Sequence, residues 1–162
     1  MQVDVQPGAA GFTGHVYIRD GGLDVDPACA PAELLHEAAH LAVIGARYRP
    51  WFSGDIRSGM ARMFDDITRL RLPPDHPIER AALQSGELEA TAWSWAAGVA
   101  IGLPSKEIIH DADFSGAGAA TRLELQLGQH RGINGLYHAG MCARARPGVA
   151  NPYPAMLRWL QE

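Results

Sequence analysis

The chain has 162 residues, of which 47% are hydrophobic and 20% are charged. This length and composition predict one folded domain with its own core, and they exclude both a pair of independent catalytic domains and an intrinsically disordered chain. The net charge is −4 and no block of like charges occurs, which argues against nonspecific binding to nucleic acid or to anionic lipid. We therefore expect function to depend on a localised site.

The sequence contains neither a membrane-spanning stretch nor a secretory signal, which predicts a cytoplasmic protein. The longest apolar stretch, residues 92–103, is interrupted by Ser94 and is shorter than the roughly 20 residues of a membrane-spanning helix. The first residues, MQVDVQPGAAGF, lack the basic start and the apolar run of a secretory signal. Cys29 and Cys142 are too few and too far apart for a disulfide framework or a cysteine zinc site, so we expect buried thiols.

The predicted elements begin with a hairpin. Residues 14–20 alternate in polarity, and residues 23–25 follow Gly21 and Gly22 as a second short strand. Helix-forming segments bounded by Pro or Gly come next. They cover residues 32–45, 60–72, 77–100, 119–129 and 133–143. The predicted fold class is therefore α+β, mainly helical, with a small N-terminal β-hairpin or sheet.

The first predicted helix has a stripe of chemically reactive side chains. Glu33, His36, Glu37 and His40 share one face at 3.6 residues per turn, while apolar residues cover the rest of the helix. Residues 36–40 read HEAAH, the HExxH pattern in which two histidines one turn apart bind a single Zn²⁺. The pattern predicts His36 and His40 as metal ligands and Glu37 as a general base. Alternatively, these side chains form hydrogen bonds inside a core or face water.

A catalytic zinc needs a third protein ligand and an open fourth position. In the third predicted helix, Glu87 and Glu89 are the carboxylates of a long apolar stretch. Small residues share the face of Glu87 and would let this helix approach the first one, whereas Trp93 shares the face of Glu89. We therefore favour Glu87 over Glu89. Alternative ligands lie in the segment IIHDADFSG: Asp113, Asp111 and His110.

The two motifs together resemble those of a peptidase family. HEAAHLAV followed by ELEATAWSWAAGVAIGLP resembles the gluzincin type of zincin metallopeptidases, in which a glutamate on a second helix completes HExxH. The second motif is most similar to that of the ImmA/IrrE family, whose members cut or antagonise repressor proteins. The resemblance implies His36, His40 and Glu87 as ligands and Glu37 as general base. HEAAH also resembles the HEAGH of the FtsH-type peptidase, whose third ligand is an aspartate, and this keeps Asp113 open.

These observations predict a zinc-dependent metallopeptidase with a compact zincin-like domain. The domain would span residues 1–162, with the metal core at about 14–104 and a C-terminal helical segment at about 105–162. Glu37 would take a proton from a metal-activated water and return it to the leaving amine, and the expected substrate is a specific protein or peptide. The strand of residues 15–19 either offers an edge to an extended peptide or is simply structural. The main rival is a noncatalytic interaction or regulatory module with a zincin fold, with or without metal.

Overall fold

The computed structural model describes residues 1–12 and 14–162, and a small sheet forms its N-terminal part. In these residues the strands are β1 (Val3–Val5), β2 (Val16–Arg19) and β3 (Gly22–Val25). Their order is β1-β3-β2, with β2 antiparallel to β3 and β1 parallel to it. Ile18 lies opposite Leu23 in the hairpin. The predicted hairpin is confirmed, whereas β1 was not predicted, because all three of its residues are exposed and show no alternation in burial.

The turn of the hairpin explains its glycine. Asp20 and Gly21 both have positive φ values, 47° and 78°, as a two-residue hairpin turn requires. A Cβ at Gly21 would also lie 2.6 Å from the carbonyl oxygen of Arg49. Gly21 therefore allows both the turn and the close approach of the chain that follows the first helix.

Helix dominates the described part of the chain, so the predicted mainly helical α+β class is confirmed. The helices are α1 (Pro31–Ala42), α2 (Ile56–Leu70), α3 (Pro77–Leu83), α4 (Glu87–Ala100), α5 (Ser105–Ile108), α6 (Asp113–Gly116), α7 (Gly118–Gln126) and α8 (Gly132–His138). None of the helices in the described residues is both long enough and apolar enough to cross a membrane.

Local sequence explains where the main helices begin. Pro31 occupies the first turn of α1, where its fixed φ and missing N–H cost nothing. Asp55 caps α2 by accepting a hydrogen bond from the backbone N–H of Arg57 at 2.9 Å. His76 caps α3 in the same way through Nδ1, which accepts from Ile78 N at 3.2 Å.

The prediction of one continuous helix over residues 77–100 is wrong. The chain forms α3 and α4 there, separated by residues 84–86. Gly86 has an extended backbone conformation, and its N–H donates to the Glu89 carboxylate at 3.2 Å. Ser85 is buried and donates to Ala82 O at 2.8 Å, a local bond that competes with helix continuation. The Ser-Gly pair therefore starts a new helix whose first residue is Glu87.

Helix α4 lies at the centre of the core, where it packs on α1 and α8. Its residues 90–98 are all buried. The C-terminal segment covers it, because Tyr153 donates to Ala92 O at 2.9 Å and the indole of Trp93 donates to Trp159 O at 2.8 Å. Trp93 and Trp95 are both buried and act as packing residues.

Candidate metal centre

Helix α1 places two imidazoles side by side. His36 and His40 are one turn apart, and their Nε2 atoms lie 3.1 Å from each other with the rings nearly perpendicular. His40 is 8% exposed, while the His36 side chain is partly open to solvent. Two ring nitrogens at this distance can bind the same cation, which would lie to one side of the line that joins them.

The third group comes from the first residue of α4. The Glu87 carboxylate approaches both imidazoles, with 3.3 Å between Oε2 and His40 Nε2 and 3.8 Å between Oε1 and His36 Nδ1. α4 comes this close to α1 because a small side chain lies between them, and the Ser94 hydroxyl donates to Leu35 O at 3.0 Å. The sequence argument from small residues on the Glu87 face thus agrees with the packing.

The donor set fits a divalent metal. Among the residues that the structure describes, His36, His40 and Glu87 form a group whose ligand atoms all lie within 4.8 Å of one another. In a tetrahedral site with metal–ligand bonds of 2.0–2.1 Å, neighbouring ligand atoms are about 3.3–3.4 Å apart. The separations of 3.1 Å and 3.3 Å are close to this value, whereas the closest approach of Glu87 to His36 is 3.8 Å, to Nδ1, so binding requires an adjustment of these side chains. Two imidazoles and a carboxylate are a donor set that suits zinc.

The electrostatics keep two of the three groups in the form that a metal requires. Burial, followed by the nearby charge of His40, lowers the pKa of His36, so its imidazole stays neutral to lower pH. A hydrogen bond from His40 lowers the pKa of Glu87, although burial acts in the opposite direction. A neutral imidazole and an ionised carboxylate bind a cation without first losing a proton.

Glu37 lies between the two histidines in sequence and lines the same cavity as all three candidate ligands. It is only 5% exposed. A carboxylate held on the turn between two ligands is within reach of a water molecule that binds at the same place. The structure therefore brings all four predicted residues, His36, Glu37, His40 and Glu87, to one site.

The cavity beside these residues has a volume of about 300 Å³. One wall is apolar and comes from the buried strand residues Val16 and Ile18, together with Ile56 at the start of α2. Phe12 and the segment 54–57, which includes Arg57, complete the rim. Sequence reasoning missed these rim residues, because they come from the chain before β2 and from the start of α2, which only tertiary packing brings to the metal centre.

The outer edge of β2 is covered beside this cavity. Gly54 N donates to the outward carbonyl of Ile18 at 2.8 Å. Gly11 lies so close to the outward carbonyl of Val16 that a Cβ on Gly11 would be 2.0 Å from its oxygen. An extended peptide cannot pair along β2 in this conformation, because both outward carbonyls are already covered. Of the two alternatives for β2, a purely structural strand therefore fits better than an edge that binds a peptide.

The alternative ligands lie elsewhere or have other partners. Glu89 accepts from Gly86 N, and its carbon atoms lie beside Gly135 of α8. Burial raises the pKa of Glu89. The Asp113 carboxylate accepts from His110 N at 2.7 Å and lines a second groove, to which α1 contributes Ala32, Glu33 and His36. Neither carboxylate belongs to the group of converging ligand atoms found in the described residues.

Asp111, an alternative ligand, and Glu33, which shares the stripe of the two histidines, both pair with other residues. Asp111 pairs with the guanidinium of Arg122 and, at 3.6 Å, with Lys106. Glu33 accepts from His15 Nδ1 at 3.0 Å and from Ala30 N at 3.4 Å, and so ties the start of α1 to the chain before β2. Glu33 shares the stripe of the two histidines but acts there as a link between elements.

Compared with protein-family models, with curated proteins and with solved structures, the chain matches none of them. Any assignment of function therefore depends on the residues and on their geometry.

Proposed function

We propose that this chain is a metal-dependent peptidase that hydrolyses a peptide bond in a protein or peptide substrate, with zinc as the resident ion. The observation that carries the proposal is the convergence of His36, His40 and Glu87, with Glu37 lining the same cavity. Two histidines and a glutamate, a fourth position open to a cavity and a buried carboxylate beside it are the components of a catalytic zinc site. The resemblance to gluzincin motifs supports the same activity.

Glu37 carries out both proton transfers of the proposed reaction. A divalent cation bound to the three ligands supplies Lewis acidity, which polarises a carbonyl and acidifies water. Glu37 accepts the proton of the attacking water at its carboxylate while the water oxygen bonds to the carbonyl carbon. Glu37 then donates that proton to the amine nitrogen as the carbon–nitrogen bond breaks. The apolar wall of Val16 and Ile18 excludes bulk water from this side of the site.

We also propose that the protein works in the cytoplasm. Cys29 and Cys142 are free thiols, and burial raises the pKa of each to about 11. Free cysteines without a disulfide are typical of proteins in a reducing compartment.

Metal content of the purified protein tests the site. We expect one metal ion per chain by elemental analysis, with zinc bound after exposure to a mixture of divalent ions. His36→Ala is expected to remove the metal, whereas His138→Ala, which changes an exposed histidine outside the cavity, is expected to retain it. Retention of metal by His36→Ala would refute the site.

A second variant separates a peptidase from a noncatalytic module. Glu37→Gln removes the proton acceptor and leaves the three ligands unchanged, so a peptidase keeps its metal and loses peptide cleavage by at least about 100-fold. A noncatalytic module would show no cleavage in the wild type and unchanged partner binding in the variant. Peptide-library digestion followed by mass spectrometry of the products provides the readout.

A further inference from the structure

The cavity beside the candidate metal centre is bounded on one side by strand β2. Its floor is formed by Val16 and Ile18, while Gly11 and Gly54 cover the outer edge of β2. At about 300 Å³ it is at the lower end of the range for ligand pockets. This volume has room for one residue with a medium-sized apolar side chain.

The rim of this cavity carries a cation. Arg57 lines the cavity with Phe12, and its guanidinium carbon lies 5.6 Å from the centre of the Phe12 ring. Its Nε donates to Asp55 at 3.4 Å, a weak contact between exposed groups. Within the described residues neither terminal nitrogen of Arg57 has a hydrogen-bond acceptor. Both terminal nitrogens can therefore donate hydrogen bonds to the two oxygens of a carboxylate.

The surroundings of Arg57 favour an anion over an ammonium group. Arg57 lies in the first turn of α2, a helix of 15 residues, where the helix dipole is positive. The neighbouring Asp55 carboxylate is engaged with the backbone and side chain of Arg57, and the backbone hydrogen bond lowers its pKa. A substrate with a free carboxylate gains an ion pair with Arg57, whereas a free amino group at the same place does not; the other charged side chains that line the cavity are the carboxylates of Glu37, Asp55 and Glu87.

We propose that the cavity binds the carboxy-terminal residue of a peptide, with an apolar side chain against Val16, Ile18 and Ile56 and the terminal carboxylate on Arg57. This inference rests on the proposed peptidase activity and narrows its substrate to chain ends. The bond at the metal centre is then the last peptide bond. The water oxygen joins the carbonyl carbon, the carbon–nitrogen bond breaks, and the released amino acid carries away the proton returned by Glu37.

A binding experiment tests this proposal without requiring turnover. Acetyl-alanyl-leucine and its carboxamide are titrated into the zinc-loaded Glu37→Gln protein, and the same titration is repeated on metal-free protein. We expect the acid to bind on the order of tenfold more tightly than the amide in both forms, because Arg57 does not belong to the metal centre. Arg57→Ala should remove the preference and Arg57→Lys should retain part of it. Arg69→Ala, which changes an exposed arginine in the last turn of the same helix, should leave it unchanged.

The outcomes separate this inference from the proposed function. Equal binding of acid and amide, no binding of the acid at millimolar concentration, or an unchanged preference in Arg57→Ala would overturn the carboxylate site. Cleavage of amide-capped peptides at the rate of free acids would also overturn it while leaving the peptidase intact. Absence of both metal and cleavage would refute the peptidase, and the metal-free titration would still decide whether Arg57 binds a carboxylate.

Discussion

The hydroxyl of Ser94 donates a hydrogen bond to the backbone carbonyl of Leu35 at 3.0 Å, and this contact joins α4 directly to α1. Ser94 is 5% exposed. Because α4 begins with Glu87 and α1 carries both histidines, the spacing of the two helices at Ser94 sets the spacing of the candidate ligands. A side chain larger than serine at this position would separate the groups that a metal must bridge.

We therefore expect Ser94→Leu to lose metal binding and Ser94→Ala to retain it. The alanine variant loses one hydrogen bond, which costs about 1 kcal/mol of unfolding free energy. The leucine side chain is larger than serine at a buried contact between α1 and α4, which costs about 1–3 kcal/mol and moves α4 outward. Metal stoichiometry and urea unfolding of both variants provide the measurement. Wild-type metal affinity in a folded Ser94→Leu protein would contradict this account of the helix spacing.

Replacing Glu87 or Glu89 of α4 by glutamine should change different properties of the protein, zinc affinity in the first case and stability in the second. Glu87→Gln removes a charged ligand atom that lies 3.3 Å from His40 Nε2, so we expect zinc affinity to fall by at least about tenfold with little change in stability. Glu89→Gln alters the group that accepts from Gly86 N, so we expect a loss of stability of about 0.5–1 kcal/mol with zinc affinity unchanged. Competition with a chromogenic zinc chelator and thermal unfolding distinguish the two effects. The reverse result would make Glu89 the ligand.

The convergence of His36, His40 and Glu87 could be predicted from the sequence better than the residues that line the rest of the cavity. His36 and His40 come together because helical geometry fixes the distance between residues i and i+4, and Glu87 could be preferred over Glu89 from the small residues on its face. Phe12 and Arg57 could not be predicted, because they reach the cavity from a loop and from the first turn of α2, whose positions depend on long-range packing. The break at residues 84–86 was missed, although the sequence marks it: the run Gln-Ser-Gly-Glu at residues 84–87 interrupts the apolar pattern.

A glycine of α8 controls the contact that holds the start of α4. A Cβ at Gly132 would lie 1.8 Å from the carbonyl oxygen of Leu88, and backbone on both sides of that contact leaves no flexible side chain to move. We expect Gly132→Ala to destabilise the protein by about 2–4 kcal/mol and to weaken metal binding by shifting Glu87. Gly45→Ala is the control, because its Cβ would meet only Glu162 O at an ordinary 3.5 Å. Thermal unfolding with and without zinc tests both variants, and equal stability of the two would contradict the packing argument.

The ion pair between Asp111 and Arg122 predicts a pH dependence of stability. Arg122 is 7% exposed, and its Nη1 also donates to Ile109 O at 2.6 Å. The hydrogen bond from Arg122, followed by the charges of Arg122 and Lys106, lowers the pKa of Asp111 below its ordinary value of 3.8. Because the folded pKa lies below the unfolded one, this stabilisation is complete above the unfolded pKa and is lost as the pH falls through the folded pKa.

Asp111→Asn should therefore unfold at a lower temperature than the wild type at pH 7, because it leaves the buried Arg122 without its anionic partner. The difference should shrink as the pH falls below about 4, where protonation removes the same charge from the wild type. Asp65→Asn makes the same change in net charge at an exposed residue of α2 and should show no such pH-dependent difference. Thermal unfolding curves of the three proteins between pH 7 and about pH 3 make the comparison, and a constant gap between Asp111→Asn and wild type would contradict the ion pair as its cause.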